Sequence, residues 1–388
     1  MLPAVVLLAA TACGSAPTGA VPAPSNVSAS EPASASARPS ATSSPTSTAQ
    51  SAATAYVVLV DLFAAGSSYN IALAGADARV VARVQAAKRS EIADAIELPY
   101  VSASRSRVYY LDGDRDVRYL KTDGTFGLAA SVSGGARVHA AFAVSPDDSR
   151  IAVALLDYSV NPVALTLYVE DLGGAHHAVI FTSTIKYVWP VAWHSGQLVV
   201  ANLGPNAVPF KSKAFLYPSA DLTRHPLGPS PYGGINFHVI DPVTAVRQVI
   251  ISGGGSSELL TKAGTAVVQG QGVDWRGSPI FWHSPHDYGS FSASGSISPN
   301  GRMIAACCPT PAFNGNLVIW TPGDQSRTLR VLVTSIDWVG WLDNSRLVTG
   351  FYHSSDGTPS VIDVSSGDVK AIDAHGLVAG IFPSDLEP

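Results

Sequence analysis

A short pattern occurs twice in this chain, as "VSPDDSRIAVA" at Val144–Ala154 and as "ISPNGRMIAACC" at Ile297–Cys308. Each copy is a strand, a polar turn and a second, apolar strand. "LTLYVEDLGGAHHAVIFTS" follows the first and "LVIWTPGDQSRTLRVLVTS" the second, and both read as a hairpin of two more strands. The same order runs through "PVAWHSGQLVVAN" with "INFHVIDPVTAVRQVIIS" and through "DWVGWLDNSRLVTGFY" with "PSVIDVSSGDVKAID". Weaker copies are "LPYVSASRSRVYYLDGD" with "VRYLKTDGTFGLAAS" and "LLTKAGTAVVQGQ" with "VDWRGSPIFWH". Asp112-Gly113, Asp123-Gly124, Asn300-Gly301 and Asp356-Gly357 supply the positive φ that tight hairpins need. Lys88–Glu97 is the one stretch with a helical pattern, and the domain is expected to be all-β.

A repeat of four strands every 40–50 residues or so is the mark of a propeller blade. One four-stranded sheet cannot bury both faces, so such units stack around an axis. Ser145-Pro146-Asp147-Asp148 and Ser298-Pro299-Asn300-Gly301, each before an apolar strand, resemble the turn of TolB-like and WD-type propeller repeats. The resemblance extends over roughly Tyr56 to Phe382 and implies a fold rather than an activity. The N-terminal piece supplies three strands, "YVVLVDL", "YNIALAG" and "RVVARVQ", and "HGLVAGIFP" is left over at the other end. The expected architecture is a single seven-bladed propeller of four-stranded blades. Leu377–Phe382 would join the N-terminal blade and close the ring, with a β-sandwich as the structural alternative.

Charged residues make up 14% of the 388, well under the roughly 25% of average soluble proteins. The net charge is −5 and no run of Lys or Arg stands out. That excludes a nucleic-acid partner, which asks for a basic face.

The chain begins "MLPAVVLLAATACGSAP". Leu2–Ala12 is an apolar run too short to span a bilayer. Ala10-Thr11-Ala12-Cys13 resembles a bacterial lipobox, which implies a lipid on Cys13 and a signal segment over residues 1–13. An ordinary secretion signal, or an apolar start without targeting meaning, are the other readings. Residues 14–54 are almost pure Ala, Ser, Pro and Thr, with Glu31 and Arg38 as the only charges. Such a segment cannot offset its ordering entropy and is expected to be a disordered tether. It would reach roughly 35 Å as a coil and roughly 120 Å if stiffened. The propeller would occupy residues 55–388.

The usual catalytic signatures are missing: no Gly-x-Ser-x-Gly, His-Glu-x-x-His, phosphate-binding loop or Cys-x-x-Cys occurs. No catalytic residue, metal or cofactor is assigned. His176-His177 is read as a solvated pair at a turn, and Trp189, Trp193, Trp338 and Trp341 as core. In a four-stranded blade the connections after the second and fourth strands leave on one face. That face should collect Asp157, Tyr158, His283, His286, Asp287, Tyr288, Cys307, Cys308, Tyr352 and His353, together with the long insertion Asn202–Gly234. The adjacent cysteines are readable as two free thiols, as a strained vicinal disulfide, or as a metal or intermolecular pair. Neighbouring Cα atoms about 3.8 Å apart fall below the ordinary disulfide range.

The expected function is a non-enzymatic scaffold, monomeric, lipid-anchored on the extracytoplasmic side of the cell membrane. It would bind a protein or an envelope glycan. The alternative is an extracytoplasmic enzyme, either a glycan hydrolase or lyase or a quinone-dependent dehydrogenase. For a glycosidase, a pair of carboxylates about 5–10 Å apart would be required.

Overall fold

The structure, a computed structural model, describes residues 55–62, 64–96, 98–203, 208–210, 235–250, 259–261, 264–266, 271–273, 279–281, 295–307, 317–320, 327–329, 338–350 and 358–383. The chain divides into two units, Met1–Ser51 and Ala52–Pro388, and all described strands belong to the second. The described residues form 28 strands and no helix. The strands make seven four-stranded antiparallel sheets. Sheet 1 joins Tyr56–Asp61, Ser68–Gly75 and Val80–Ala87 to the distant strand Leu377–Phe382. The others are built from consecutive strands: sheet 2 within Val101–Ser131, sheet 3 within Val138–Ser183, and sheet 4 within Val188–Ile250. Sheet 5 lies within Leu259–Phe281, sheet 6 within Gly295–Leu329, and sheet 7 within Trp338–Ala371.

Burial changes systematically across a sheet, and the sequence follows it. The second strand of sheet 3, Arg150–Asp157, has Ile151, Ala152, Val153 and Ala154 fully buried. A run of consecutive apolar residues suits a strand covered on both faces. The fourth strands are open: Phe126 and Leu128 on Phe126–Ser131 are 58% and 55% exposed. The cores therefore lie between sheets. One cluster joins Val60, Tyr69 and Leu73 of sheet 1 to Tyr109 and Val117 of sheet 2 and Phe142 and Val153 of sheet 3. A second joins Ala143, Ala152 and Leu167 of sheet 3 to Trp189, Trp193 and Phe237 of sheet 4. Ala305 and Ile319 of sheet 6 pack with Trp341 and Leu347 of sheet 7. Val348 and Val361 of sheet 7 pack in turn with Val57, Leu59 and Ala74 of sheet 1.

The recurrent turn is held by its own side chains. Ser145 Oγ accepts the Arg150 N–H at 2.9 Å, and Asp147 Oδ1 accepts the Ser149 N–H at 3.2 Å. In the other copy Ser298 Oγ accepts the Met303 N–H at 2.9 Å, and Asn300 Oδ1 accepts the Arg302 N–H at 3.0 Å. Asp148 and Gly301 occupy the same positive-φ place, at 60° and 70°. Asp tolerates that conformation less well than Gly, and its carboxylate has a use here. It accepts from Tyr109 Oη at 2.9 Å and from Ser106 Oγ, and Arg107 Nε stands 3.7 Å away. The turn of sheet 3 is thereby latched to the first hairpin of sheet 2, with the Arg105 N–H donating to the Pro146 carbonyl at 3.1 Å. Asn300 N–H similarly donates to Asn344 Oδ1, 2.9 Å away in the first hairpin of sheet 7.

These turns make stability acid-sensitive. The hydroxyls of Ser145 and Ser149 hold the Asp147 carboxyl below its usual value. The Ser365 hydroxyl and the N–H groups of Ser366 and Ser365 hold Asp363 down at about 2. A carboxyl lowered in the folded state contributes stability above its unfolded value of about 3.9, and loses it as pH falls through the folded value. Melting temperature is expected to fall between about pH 4 and pH 2, and Asp147→Asn should flatten that slope. An unchanged slope in the variant would contradict the assignment.

Lys88–Glu97, the one helical pattern in the sequence, forms no helix where described, in keeping with the all-β expectation: Arg89 donates to the carbonyls of Ala140 and Leu98, and Ser90 to Asp114, which draws the segment out. One boundary is corrected. The long insertion begins after Leu203 rather than at Asn202. Asn202 still pairs with Val188 and Asn236 in sheet 4, and the Leu203 N–H donates to the Tyr187 carbonyl. His176 and His177 are exposed at a hairpin turn, as read from the sequence, and their Nδ1 atoms lie 2.6 Å from Asp171 Oδ2 and 2.7 Å from Glu170 Oε2. Three of the four tryptophans agree with the sequence reading, Trp189, Trp193 and Trp341 being 4%, 2% and 3% exposed, while the side chain of Trp338 lies outside what is described.

Candidate functional site

Strand direction decides where the connections go. In an antiparallel sheet of consecutive strands, the links after the second and fourth strands leave from one end, and those after the first and third from the other. At the first end the described strands Arg150–Asp157, Gln197–Leu203, Pro279–Phe281, Ile304–Cys307 and Arg346–Gly350 finish. At the other lie short turns such as 145–149, 195–196 and 342–345, closed by Asx-type bonds.

Of the residues named from sequence for the first end, Asp157 and Tyr158 are described with their side chains. Cys307 closes the strand Ile304–Cys307. Cys13, His283, His286, Asp287, Tyr288, Cys308, Tyr352 and His353 lie outside the described residues. Asp157 Oδ1 accepts the Ser159 N–H at 2.8 Å and so shapes the turn after its strand. Tyr158 is 5% exposed, beneath the surface rather than on it. Its Oη donates to the Pro209 carbonyl at 2.9 Å, and its ring meets Phe210 edge-on, with centroids 5.4 Å apart. Arg137 Nη2 closes the other side by donating to the Tyr158 carbonyl at 2.8 Å.

Three residues that sequence reasoning missed complete this arrangement. Phe210, early in the long insertion, forms a β-bridge with Ala95, and the Pro209 carbonyl accepts the Ile96 N–H at 3.3 Å. His139 stacks edge-on against Tyr158 at 5.4 Å, and its Nε2 lies 3.0 Å from the Ser90 carbonyl. Arg89, 7% exposed, sits 4.0 Å over the Tyr100 ring. The sequence signal was an aromatic early in an insertion rich in Pro and aromatics, and an arginine in the one segment with a helical pattern. Nearby, Tyr187 Oη donates to the carbonyls of Val163 and Thr184 at 3.1 and 2.8 Å, and burial raises its phenol above the usual value.

The insertion is thus pinned at Pro209–Phe210 by Tyr158, just after the second strand of sheet 3, and by Ala95 and Ile96 in the link between sheets 1 and 2. Chemically this is a rigid aromatic clamp. Among the described residues, no group of three His, Cys, Asp or Glu side chains could hold a metal ion. No helix of the described residues is long and apolar enough to cross a membrane.

Successive four-stranded antiparallel sheets, with shared cores joining sheets 1 to 3, 3 to 4, 6 to 7 and 7 to 1, put this chain in the architectural class of β-propeller repeats. No family model matches the chain, and no curated protein matches it. Among solved structures it is similar to TolB from Acinetobacter baumannii, with 11% identity and a TM-score of 0.41 over 84% of this chain and 65% of that one. It is also similar to a putative TolB from Agrobacterium tumefaciens, with 10% identity and a TM-score of 0.36 over 86% and 93%. A puromycin-hydrolysing peptidase of Mycobacterium tuberculosis aligns at 13% identity and a TM-score of 0.45 over 81% and 53%. The chain therefore spans less than two thirds of the first and the last of these proteins.

Proposed function

We propose that this protein is an extracytoplasmic binding scaffold: a seven-bladed ring carried on a flexible tether, anchored through a lipid on Cys13. Its partner would be a protein or an envelope glycan. The observation that carries the reading is the clamp at Tyr158, whose hydroxyl and ring hold Pro209 and Phe210 beside the end of the strand Arg150–Asp157. Rigidly mounted variable loops are what specific recognition requires. The ring is supported by the pairing of Leu377–Phe382 with Tyr56–Asp61 and by the packing of sheet 7 on sheet 1. The binding surface would be formed by 211–234, Asp157, His283, His286, Asp287, Tyr288, Cys307, Cys308, Tyr352 and His353, with Tyr158 as the support beneath.

Two measurements test this. Cys13→Ala is expected to move the protein from the membrane to the soluble fraction and to abolish incorporation of labelled fatty acid. Replacing 211–234 by a short Gly-Ser link, with Phe210 kept, is expected to leave the melting temperature unchanged. Recovery of cross-linked envelope partners should fall at least about tenfold, the scale of one lost interface hot spot. Undiminished recovery, also after His283→Ala with Tyr352→Ala, would place recognition elsewhere.

A further inference from the structure

Sheets 1 and 7 meet at a groove remote in sequence from the connections above. Its volume is about 720 Å³, and it is open to solvent. One wall runs from Asp77 to Arg83 on the last hairpin of sheet 1; the other includes Lys370 and Asp373 at the outer strand of sheet 7. Its charges are Arg79, Arg83 and Lys370 against Asp77 and Asp373.

These groups are not equally free. Asp77 is committed to its own turn: Oδ1 accepts the Arg79 N–H at 3.1 Å, and Oδ2 lies 3.7 Å from Arg79 Nε. Arg83 reaches across the groove and donates to the Asp373 carbonyl, so its guanidinium is positioned before a ligand arrives. The Lys370 ammonium has no hydrogen bond or ion pair among the described residues, while its backbone pairs with Val361 in sheet 7. Between these cations Val81, 44% exposed, offers a small apolar surface.

We propose that this groove binds an anionic polysaccharide, its carboxylate or phosphate groups pairing with Arg83 and Lys370 and a sugar face resting on Val81. A guanidinium fork matches either oxyanion with two parallel bonds, and an ammonium adds a mobile point charge. The rest of the lining is Val80 and three alanines. It lacks the deep apolar pocket that anchors a peptide side chain, which favours a polymer of repeating charge. A ligand touching both walls also ties the two sheets together and raises stability by mass action. This site is independent of the loop face proposed above.

The test uses the full-length chain, titrated at low salt with a glucuronate oligomer and a glycerol-phosphate oligomer. Controls are a neutral glucan, polyglutamate, inorganic phosphate and phosphatidylglycerol vesicles. At least one anionic oligomer should bind and raise Tm, and Lys370→Gln and Arg83→Gln should each weaken it about tenfold, the scale of one charge-assisted contact. The Lys370 side chain is exposed and unbonded, so its variant keeps the fold even if Arg83→Gln does not. The proposal is overturned if neither oligomer binds, if the neutral glucan binds equally, or if Lys370→Gln has no effect. Equal or tighter binding of polyglutamate would assign the groove to an acidic peptide instead. Saturation by phosphate alone would make it a simple ion site, and saturation by the vesicles a membrane contact.

Discussion

Removing Gly376–Pro388 is expected to abolish the cooperative unfolding transition of the whole strand-bearing unit. Leu377 and Phe382 are 2% and 4% exposed, and the strand between them pairs with Tyr56–Asp61 along its length. Burying a Leu and a Phe contributes about 1.5–3 kcal/mol each, a large share of the 5–15 kcal/mol or so that holds a typical domain together. The loss also bares one edge of Tyr56–Asp61, whose Val57, Val58, Leu59 and Val60 are at most 1% exposed and connect the cores on both sides of sheet 1. Calorimetry on the truncated chain decides the matter, and an unchanged transition would rule out ring closure by this strand. A milder probe is Gly376→Ala. Gly376 has φ +132°, and a Cβ there would stand 2.8 Å from the Val60 carbonyl carbon. That variant should lower stability without abolishing the fold.

Trp193→Ala should cost about 3–5 kcal/mol, as large-to-small changes at buried aromatic sites do. Trp193 is 2% exposed on the first strand of sheet 4, and its Nε1 donates to the Ala143 carbonyl of sheet 3 at 3.0 Å. The Arg150 guanidinium covers the ring at 4.8 Å. Truncation therefore opens a cavity between two sheets, orphans a buried carbonyl and strips an arginine of its platform. Trp193→Phe keeps most of the apolar surface and should cost about 1 kcal/mol for the hydrogen bond plus a smaller packing loss. Urea unfolding midpoints separate the two, and equal midpoints for both variants would contradict the role given to the ring.

The strands and turns were legible because their causes are local. Ser145, Asp147, Ser298 and Asn300 bond to backbone within five residues, so the motif carries its own geometry. The tryptophans were legible as core because apolar alternation shows which side of a strand is covered. What sequence could not show is long-range. Phe210 is anchored by Tyr158 from 52 positions away, and Asp148 by Tyr109 from 39. Tyr158 shows the same limit: its position in the chain was readable, but its burial goes with contacts to Pro209 and Phe210, more than 50 positions away.

The pairing of the first described strand with the last also sets an order of events during biogenesis. The partner of Tyr56–Asp61 is synthesised last, more than 300 residues later, so at about 5–20 residues per second the N-terminal edge waits roughly 15–60 s. Folding is then governed by a contact of very high sequence separation, the kind that slows folding most. Throughout that interval an apolar strand edge is available to any other nascent chain. Selection on this protein should therefore fall on chaperone engagement and folding rate as well as on the finished fold, and overproduction should yield intermolecular exchange of the strand Leu377–Phe382 before any other misassembly.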